Sequence, residues 1–301
     1  MKFRNKIHLS VLLAPVLVLG ACSDDSTTQS ETQDPGIVEI AAQNEQFSTL
    51  VEALQSTGLD AALEEDSEFT VFAPTNEAFD ALPEGTLESL TEDQLEEILL
   101  YHVLGSEVFS GQLGAEQSVA SLTNEDIYIT AGNEGVTVNG TASVTSADIE
   151  ARNGVIHVID RVILPDAYGT IVDNAVKRYF LSSLVGAVTE ADLAGALSVD
   201  GPFTVFAPTN AAFAEIADVA SELTMEQLTD ILLYHAVDAS VFSTDLQSGQ
   251  QVTALNGDLL TIEISDGAVT INGSSNITTV DIEGVNGVIH IIDEVLLPPG
   301  E

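Results

Sequence analysis

The sequence predicts two like-built domains of mixed helix and strand arranged in tandem, and three observations carry that expectation. A long internal repeat aligns Asp148–Pro165 with Asp281–Pro298, identical at 13 of 18 positions without a gap. At spacings of 133 or 134 residues, Gln94–His102 recurs as Gln227–His235 and Thr70–Phe79 recurs as Thr204–Phe213. Within each copy, helical spacing of apolar residues gives way to strand alternation, so both periodicities belong to one unit. The period exceeds the roughly 20 to 50 residues of a solenoid repeat, whose units cannot stand alone. A length of 301 residues also suits two domains of ~150 residues, each able to bury its own core.

The elements follow from local chemistry. Residues 37–63 place Ile37, Ile40, Ala41, Phe47, Leu50, Val51 and Leu54 at helical spacing, interrupted at Gly58. Phe69–Phe72 reads as a strand, and Ala73-Pro74-Thr75-Asn76 turns it into a helix with Thr75 as N-cap. Thr91-Glu92-Asp93-Gln94 is a capping box with Leu90 and Leu95 as its hydrophobic staple; Thr224, Gln227, Leu223 and Leu228 repeat the device. The helix it starts runs to His102 and should bury Leu95, Ile98 and Leu99.

Ile127/Ile129 and Val136/Val138 alternate on either side of Gly132–Gly135 and predict a hairpin, matched by Ile262/Ile264 and Val269/Ile271 around Asp266-Gly267. In Asn153–Pro165, Asn-Gly supplies positive φ for a tight turn. The Val, Ile and Leu residues that follow fill both faces of a strand, which Pro165 ends. Only Asp166–Thr170 then separates the copies before Ile171-Val172 restarts the pattern of Ile37-Val38. So short a link brings the halves into contact. Lys177 and Arg178, just beyond it, either pair with acids of the first domain or lie exposed.

Composition narrows the partners. There are 48 Asp and Glu against 7 Lys and Arg, and three of those bases lie in the first six residues. A product beginning at Cys22 carries 4 − 48 = −44. Such a surface repels nucleic acid and anionic membrane, and suits a saline or cation-rich medium. With no Trp and only 5% aromatics, stacking on bases or sugar rings is poorly provided.

Residues 1–21 read as an export signal: Lys2, Arg4 and Lys6 form the positive region, Val11–Leu19 the apolar region, and Leu19-Gly20-Ala21-Cys22 the cleavage site. The segment resembles a bacterial lipoprotein signal, which makes Cys22 the lipid-attachment residue and the membrane a partner through the anchor alone. In that resemblance, Ser23 after the cysteine implies delivery to the outer membrane or cell surface of a Gram-negative cell. Cys22 is the sole cysteine, so no intrachain disulfide forms. Residues 22–35 are polar and acidic, a disordered tether. The expected boundaries are domain 1 at 36–165, a linker at 166–170 and domain 2 at 171–299.

Three motifs in register, twice over, resemble the fasciclin domain: Thr70–Phe79, Tyr101-His102 and Asn153–Pro165 in the first half, and Thr204–Phe213, Tyr234-His235 and Asn286–Pro298 in the second. The resemblance covers nearly all of residues 36–299. It implies an α+β fold in which a β-wedge packs against a group of helices. It also implies extracellular or surface adhesion, with Tyr101, His102, Tyr234 and His235 as candidate interaction residues. The integrin-binding sequences of animal members are not matched; around Asn124–Ile127 the likeness is loose.

The remaining chemistry is weighed residue by residue. His102 pairs with His235 and His157 with His290 in the repeat, which invites a metal reading. A helix end beside an apolar face and an apolar strand are places where histidine bonds to the backbone, and no further ligand stands at fixed spacing, so no metal or cofactor is expected. Tyr101 and Tyr234 can equally be core tyrosines with satisfied hydroxyls. No calcium loop, G-x-S-x-G or Gly-rich phosphate loop occurs, and no catalytic residue is expected. The reading is a non-enzymatic, exported, lipid-anchored adhesion module whose partner is a surface or matrix protein or polysaccharide. Its rival is a small-molecule or polysaccharide binder using the groove between wedge and helices.

Overall fold

The computed structural model describes residues 34–300 apart from 65, 66, 84, 221 and 266. The export signal, Cys22, most of the expected tether and Asp266 of the second hairpin turn lie outside the described residues.

In the first half the order is α1 (Ile37–Ala42), α2 (Ser48–Thr57), α3 (Leu59–Ala62), β1 (Phe69–Pro74), α4 (Asn76–Asp80), α5 (Thr86–Ser89), α6 (Glu92–Tyr101), β2 (Val103–Leu104), β3 (Glu116–Ala120), β4 (Asp126–Gly132), β5 (Gly135–Val138), β6 (Ala142–Ala151) and β7 (Gly154–Ile159). The helical run is thus divided before Phe47 as well as at Gly58, whose left-handed φ of 74° ends α2. Thr75 caps α4 by accepting from the Ala78 N–H, and the capping box of Thr91 and Gln94 opens α6.

The second half repeats the order with α7 (Ile171–Lys177), α8 (Ser182–Glu190), α9 (Ala194–Leu197), β8 (Phe203–Pro208), α10 (Asn210–Glu215), α11 (Ala217–Ala220), α12 (Met225–Tyr234), β9 (Ala236–Val237), β10 (Gln251–Thr253), β11 (Leu259–Ser265), β12 (Ala268–Ile271), β13 (Ser275–Gly284) and β14 (Gly287–Ile292).

Each half carries a seven-stranded sheet, in the order β2-β1-β7-β6-β5-β4-β3 and its equivalent β9-β8-β14-β13-β12-β11-β10. Among the described strands, only β1/β7 and β8/β14 pair in parallel. The sheet nearly closes on itself: beyond β3, the Leu122 N–H donates to the Val103 carbonyl at the opposite edge, and Leu255 does the same to Ala236. The result is a wedge of strand with helices packed on one side, a mixed α+β domain present twice.

Strand β1 shows how the residues sort. Val71 and Ala73 face a cluster with α1, α2 and α6, whereas Phe72 points into the wedge with Ile127, Ile129 and Ile159. This is the period of two expected of a strand, with both faces covered. All six residues of β7 are buried.

Two details of the Asn153 stretch differ from the sequence expectation. The strand ends at Ile159, not Pro165, and residues 161–165 leave the sheet to run beneath α6. Asn153 is also more than a turn residue: its amide oxygen accepts from the Ile37 N–H, 3.0 Å away, and its Nδ2 donates to the Leu63 carbonyl at 2.5 Å. It ties the start of α1 to the end of α3. Glycine follows because a Cβ at Gly154 would sit 2.0 Å from the Phe69 carbonyl oxygen of the parallel neighbour, and at Gly287 2.2 Å from that of Phe203. Positive φ occurs at Gly154 only, so close backbone approach is the shared requirement.

Candidate functional site

The Tyr-His pairs are placed by the ends of α6 and α12. Tyr101, His102, Tyr234 and His235 are all buried, none more than 2% exposed. The Tyr101 hydroxyl donates to the Asp126 carbonyl (3.0 Å) and accepts from Asn139 Nδ2 (2.9 Å). Asn139 in turn accepts from the Tyr128 N–H and sits in the left-handed region at φ 50°. Tyr234, Leu259 and Asn272 repeat the arrangement. Burial raises the Tyr101 phenol well above its ordinary pKa, so it remains a donor.

His102 closes α6 against the segment that follows β7. Its Nδ1 lies 2.7 Å from the Ile98 carbonyl, which can only accept, so Nδ1 carries the proton; Nε2 accepts from the Ile163 N–H at 3.1 Å. His235 makes the same two bonds, to Ile231 and Leu296. Burial holds both imidazoles neutral, with pKa values lowered to about 4. These four side chains brace the fold from inside; contact with a partner would require them to leave the core.

The second histidine pair holds a bulge. Strand β6 shifts register twice along β7, and Asp148 there adopts φ 58°. The Asp148 N–H donates to His157 Nδ1, while His157 Nε2 lies 2.8 Å from the Val108 carbonyl and donates to it. The Asp148 carboxylate accepts from both the backbone and hydroxyl of Ser110, and these bonds lower its pKa. Asp281, His290, Val241 and Ser243 form the same device. Serine, histidine and aspartate are neighbours, yet the hydroxyl bonds to the carboxylate and both imidazole nitrogens bond to the backbone. No imidazole nitrogen faces the serine hydroxyl, so the arrangement lacks the relay of a hydrolytic triad. Among the described residues, no group of three or more His, Cys, Asp and Glu is placed to hold a metal ion.

A cluster of residues without counterparts in the other copy lies at the junction of the two domains. Asp166, from the link, receives Lys177 Nζ at 2.9 Å and Arg178 Nη2 at 2.5 Å. Both cations are buried, which resolves the two sequence alternatives: neither is exposed, and the acid they meet belongs to the link itself. Burial alone would raise the Asp166 pKa. The hydrogen bond from Arg178 and the charges of both cations reverse that and hold it below the usual carboxylate value.

Around this charge cluster, the Arg178 guanidinium lies 5.2 Å from the centre of the Tyr128 ring, and Tyr179 and Phe180 meet that ring edge-on. Tyr168 donates to Glu97 at 2.6 Å, and the Asp166 N–H donates to Glu125. A signal for this junction was present in the repeat. Lys177, Arg178, Tyr179 and Phe180 stand where the first copy has Gln43, Asn44, Glu45 and Gln46, and Tyr128 stands where the second has Thr261. Aromatic and basic residues confined to one copy mark the surface that meets the other.

Among the described residues, no helix is long and apolar enough to cross a membrane. Residues 45–165 and 180–298 each match the Fasciclin domain. The chain is similar to human periostin, 34% identical over 263 residues that cover 86% of this chain and 30% of periostin. It is similar also to a Synechocystis protein, sll1483, 51% identical over 133 residues, which cover 43% of this chain and 73% of that protein. The chain therefore spans less than a third of periostin's length. A solved FAS1 domain pair from the insect cell adhesion molecule Fasciclin I superposes with a TM-score of 0.60 at 21% identity, covering 85% of this chain and 98% of that one, and so shares the fold. With a three-motif repeat, a shared wedge-and-helix architecture and two matched domains, the chain belongs to the fasciclin family.

Proposed function

We propose that this protein is an exported adhesion module, anchored to the outer membrane or cell surface through a lipid on Cys22, whose two domains present their outer faces to a surface or matrix protein or polysaccharide. The observation that carries the reading is the division of labour among residues. Tyr101, His102, Asp148, His157 and their repeats are committed to internal hydrogen bonds, which leaves recognition to the exterior. The fasciclin relatives support the adhesive class, since the solved pair comes from a cell adhesion molecule. Tyr101, His102, Tyr234 and His235 serve it indirectly, by fixing the strands and helix ends that shape the surface. The role needs no catalysis or cofactor, and the acidic exterior disfavours nucleic acid.

The test is attachment. Deleting the gene and, separately, the Cys22→Ala substitution each reduce adherence of cells to a surface or biofilm. Unchanged adherence in both strains would remove the adhesive reading.

A further inference from the structure

The two domains differ at one equivalent place in their interiors. Between the helices and the sheet, domain 1 leaves a void of about 20 Å³, and domain 2 leaves a cavity of about 240 Å³. The repeat explains the difference residue by residue. Leu54 and Val103, which line the void of the first copy, are replaced by Val188 and Ala236 in the wall of the cavity, and Phe47, which also lines the void, is replaced by the shorter Leu181, which does not reach the cavity. Neighbouring helices have not collapsed to compensate: Leu54, Leu59 and Leu63 are buried, but their counterparts Val188, Leu193 and Leu197 are only half-buried. At the outer end of the cavity, Thr189 and Ala194 stand where domain 1 has Gln55 and Asp60, so its mouth carries no charge.

We infer that domain 2 holds a binding site for a compact, wholly apolar small molecule between α7, α8, α9 and the sheet. The polarity of the occupant follows from the lining. The two side chains there with polar atoms are already engaged: Thr189 Oγ1 donates to the Val185 carbonyl, and His235 uses both nitrogens, on Ile231 and Leu296. A ligand placing a hydroxyl or a charge in the deep part of the cavity, away from the exposed Thr189, would therefore bury it without a partner.

The size of the occupant follows from the volume. A dry cavity of about 150 Å³ admits benzene, so 240 Å³ corresponds to about ten carbon atoms. A ligand that fills an apolar space of this volume gains dispersion contacts with its walls. The site belongs to the interior of domain 2 and does not depend on the adhesive reading, so each can fail alone.

The experiment titrates the exported chain with n-butylbenzene and follows assigned methyl resonances. Saturable shifts are expected at Leu184, Val188 and Leu197, with silence at Leu50, Leu54 and Leu63. A second arm restores the domain 1 residues through Leu181→Phe, Val188→Leu and Ala236→Val together, and is expected to weaken binding roughly tenfold or more as the added carbons occupy the space. Absence of saturable shifts, equal shifts in both domains, or undiminished affinity in the filled variant would each overturn the site. Should the triple variant not fold, Ala236→Val alone serves as the second arm, and the wild-type titration still decides.

Discussion

Arg178 grips Asp166 at two points, Nη2 to Oδ2 at 2.5 Å and Nη1 to Oδ1 at 3.3 Å, and its Nη1 reaches the Asn174 carbonyl at 2.6 Å as well. A paired guanidinium is thereby set between the link and the first turns of domain 2, with Lys177 on the same carboxylate. Removing the acid leaves two buried cations without the carboxylate they share. Asp166→Ala should cost roughly 3 to 5 kcal/mol. Urea unfolding of the protein is expected to show the loss and to separate the two domains into distinct transitions. A single transition at an unchanged midpoint would show that the ion pair does not couple them.

Gly140 and Gly273 give a sharper measure of the junction. They are repeat equivalents with nearly the same backbone, φ 69° and 73°, so alanine brings the same conformational strain to each. Their surroundings differ. A Cβ at Gly140 would lie 2.3 Å from the Val176 carbonyl oxygen across the junction, whereas at Gly273 the nearest atom is the end of the Glu263 side chain at 3.6 Å. Gly140→Ala should therefore exceed Gly273→Ala by roughly 1 to 3 kcal/mol, the cost of forcing packed backbone apart. Equal losses in thermal or urea denaturation would mean that the domains yield freely at this contact.

How much of this was legible in the sequence depended on how local the cause is. The capping box at Thr91 and the Gly58 stop involve neighbours in sequence and read directly. The apolar run of β7 read correctly as a strand covered twice because period and burial coincide there. Asn153 was legible as a special residue but not for the right reason. Its two bonds reach Ile37 and Leu63, about a hundred residues away, and no turn rule contains them.

Lys177 and Arg178 posed the same difficulty in reverse. Their position hinted at the junction, but only tertiary structure places Asp166 and Tyr128 around them. The cavity of domain 2 arises from three modest substitutions scattered over about 55 residues, none of which breaks an apolar pattern.

The buried histidines predict a pH dependence. His102 and His235 have folded pKa values of about 4 because burial disfavours the imidazolium, against 6.5 for the exposed ring. A base with a depressed folded pKa binds fewer protons when folded than when unfolded. Its contribution is therefore complete above pH ~6.5 and drains away as the pH falls towards ~4, where the folded ring also protonates. At roughly 1.4 kcal/mol per pH unit, each histidine is worth on the order of 3 kcal/mol across that window. Relief of acidic self-repulsion acts in the opposite sense as carboxylates protonate. The clean measurement is thus the difference between wild type and His102→Gln: the variant should be less stable at pH 7.5 and lose less stability between pH 6.5 and 4. Parallel pH profiles would assign the acid sensitivity elsewhere.

The last prediction separates a core tyrosine from a contacting one. In Tyr101→Phe the ring still fills its space among Phe72, Leu104 and Ile127, but the Asp126 carbonyl loses its donor and Asn139 Nδ2 its acceptor. Leaving the buried Asn139 amide unsatisfied should cost roughly 1 to 3 kcal/mol. Tyr234→Phe should cost less, because its partners Leu259 and Asn272 belong to exposed residues that water can reach. Because neither hydroxyl reaches the surface, adherence per folded molecule on cells is expected to match wild type even as the unfolding midpoint drops. The reverse pattern, intact stability with lost adherence, would require the phenol to leave the wedge and touch the partner, and would relocate recognition from the outer faces to the Tyr-His pair.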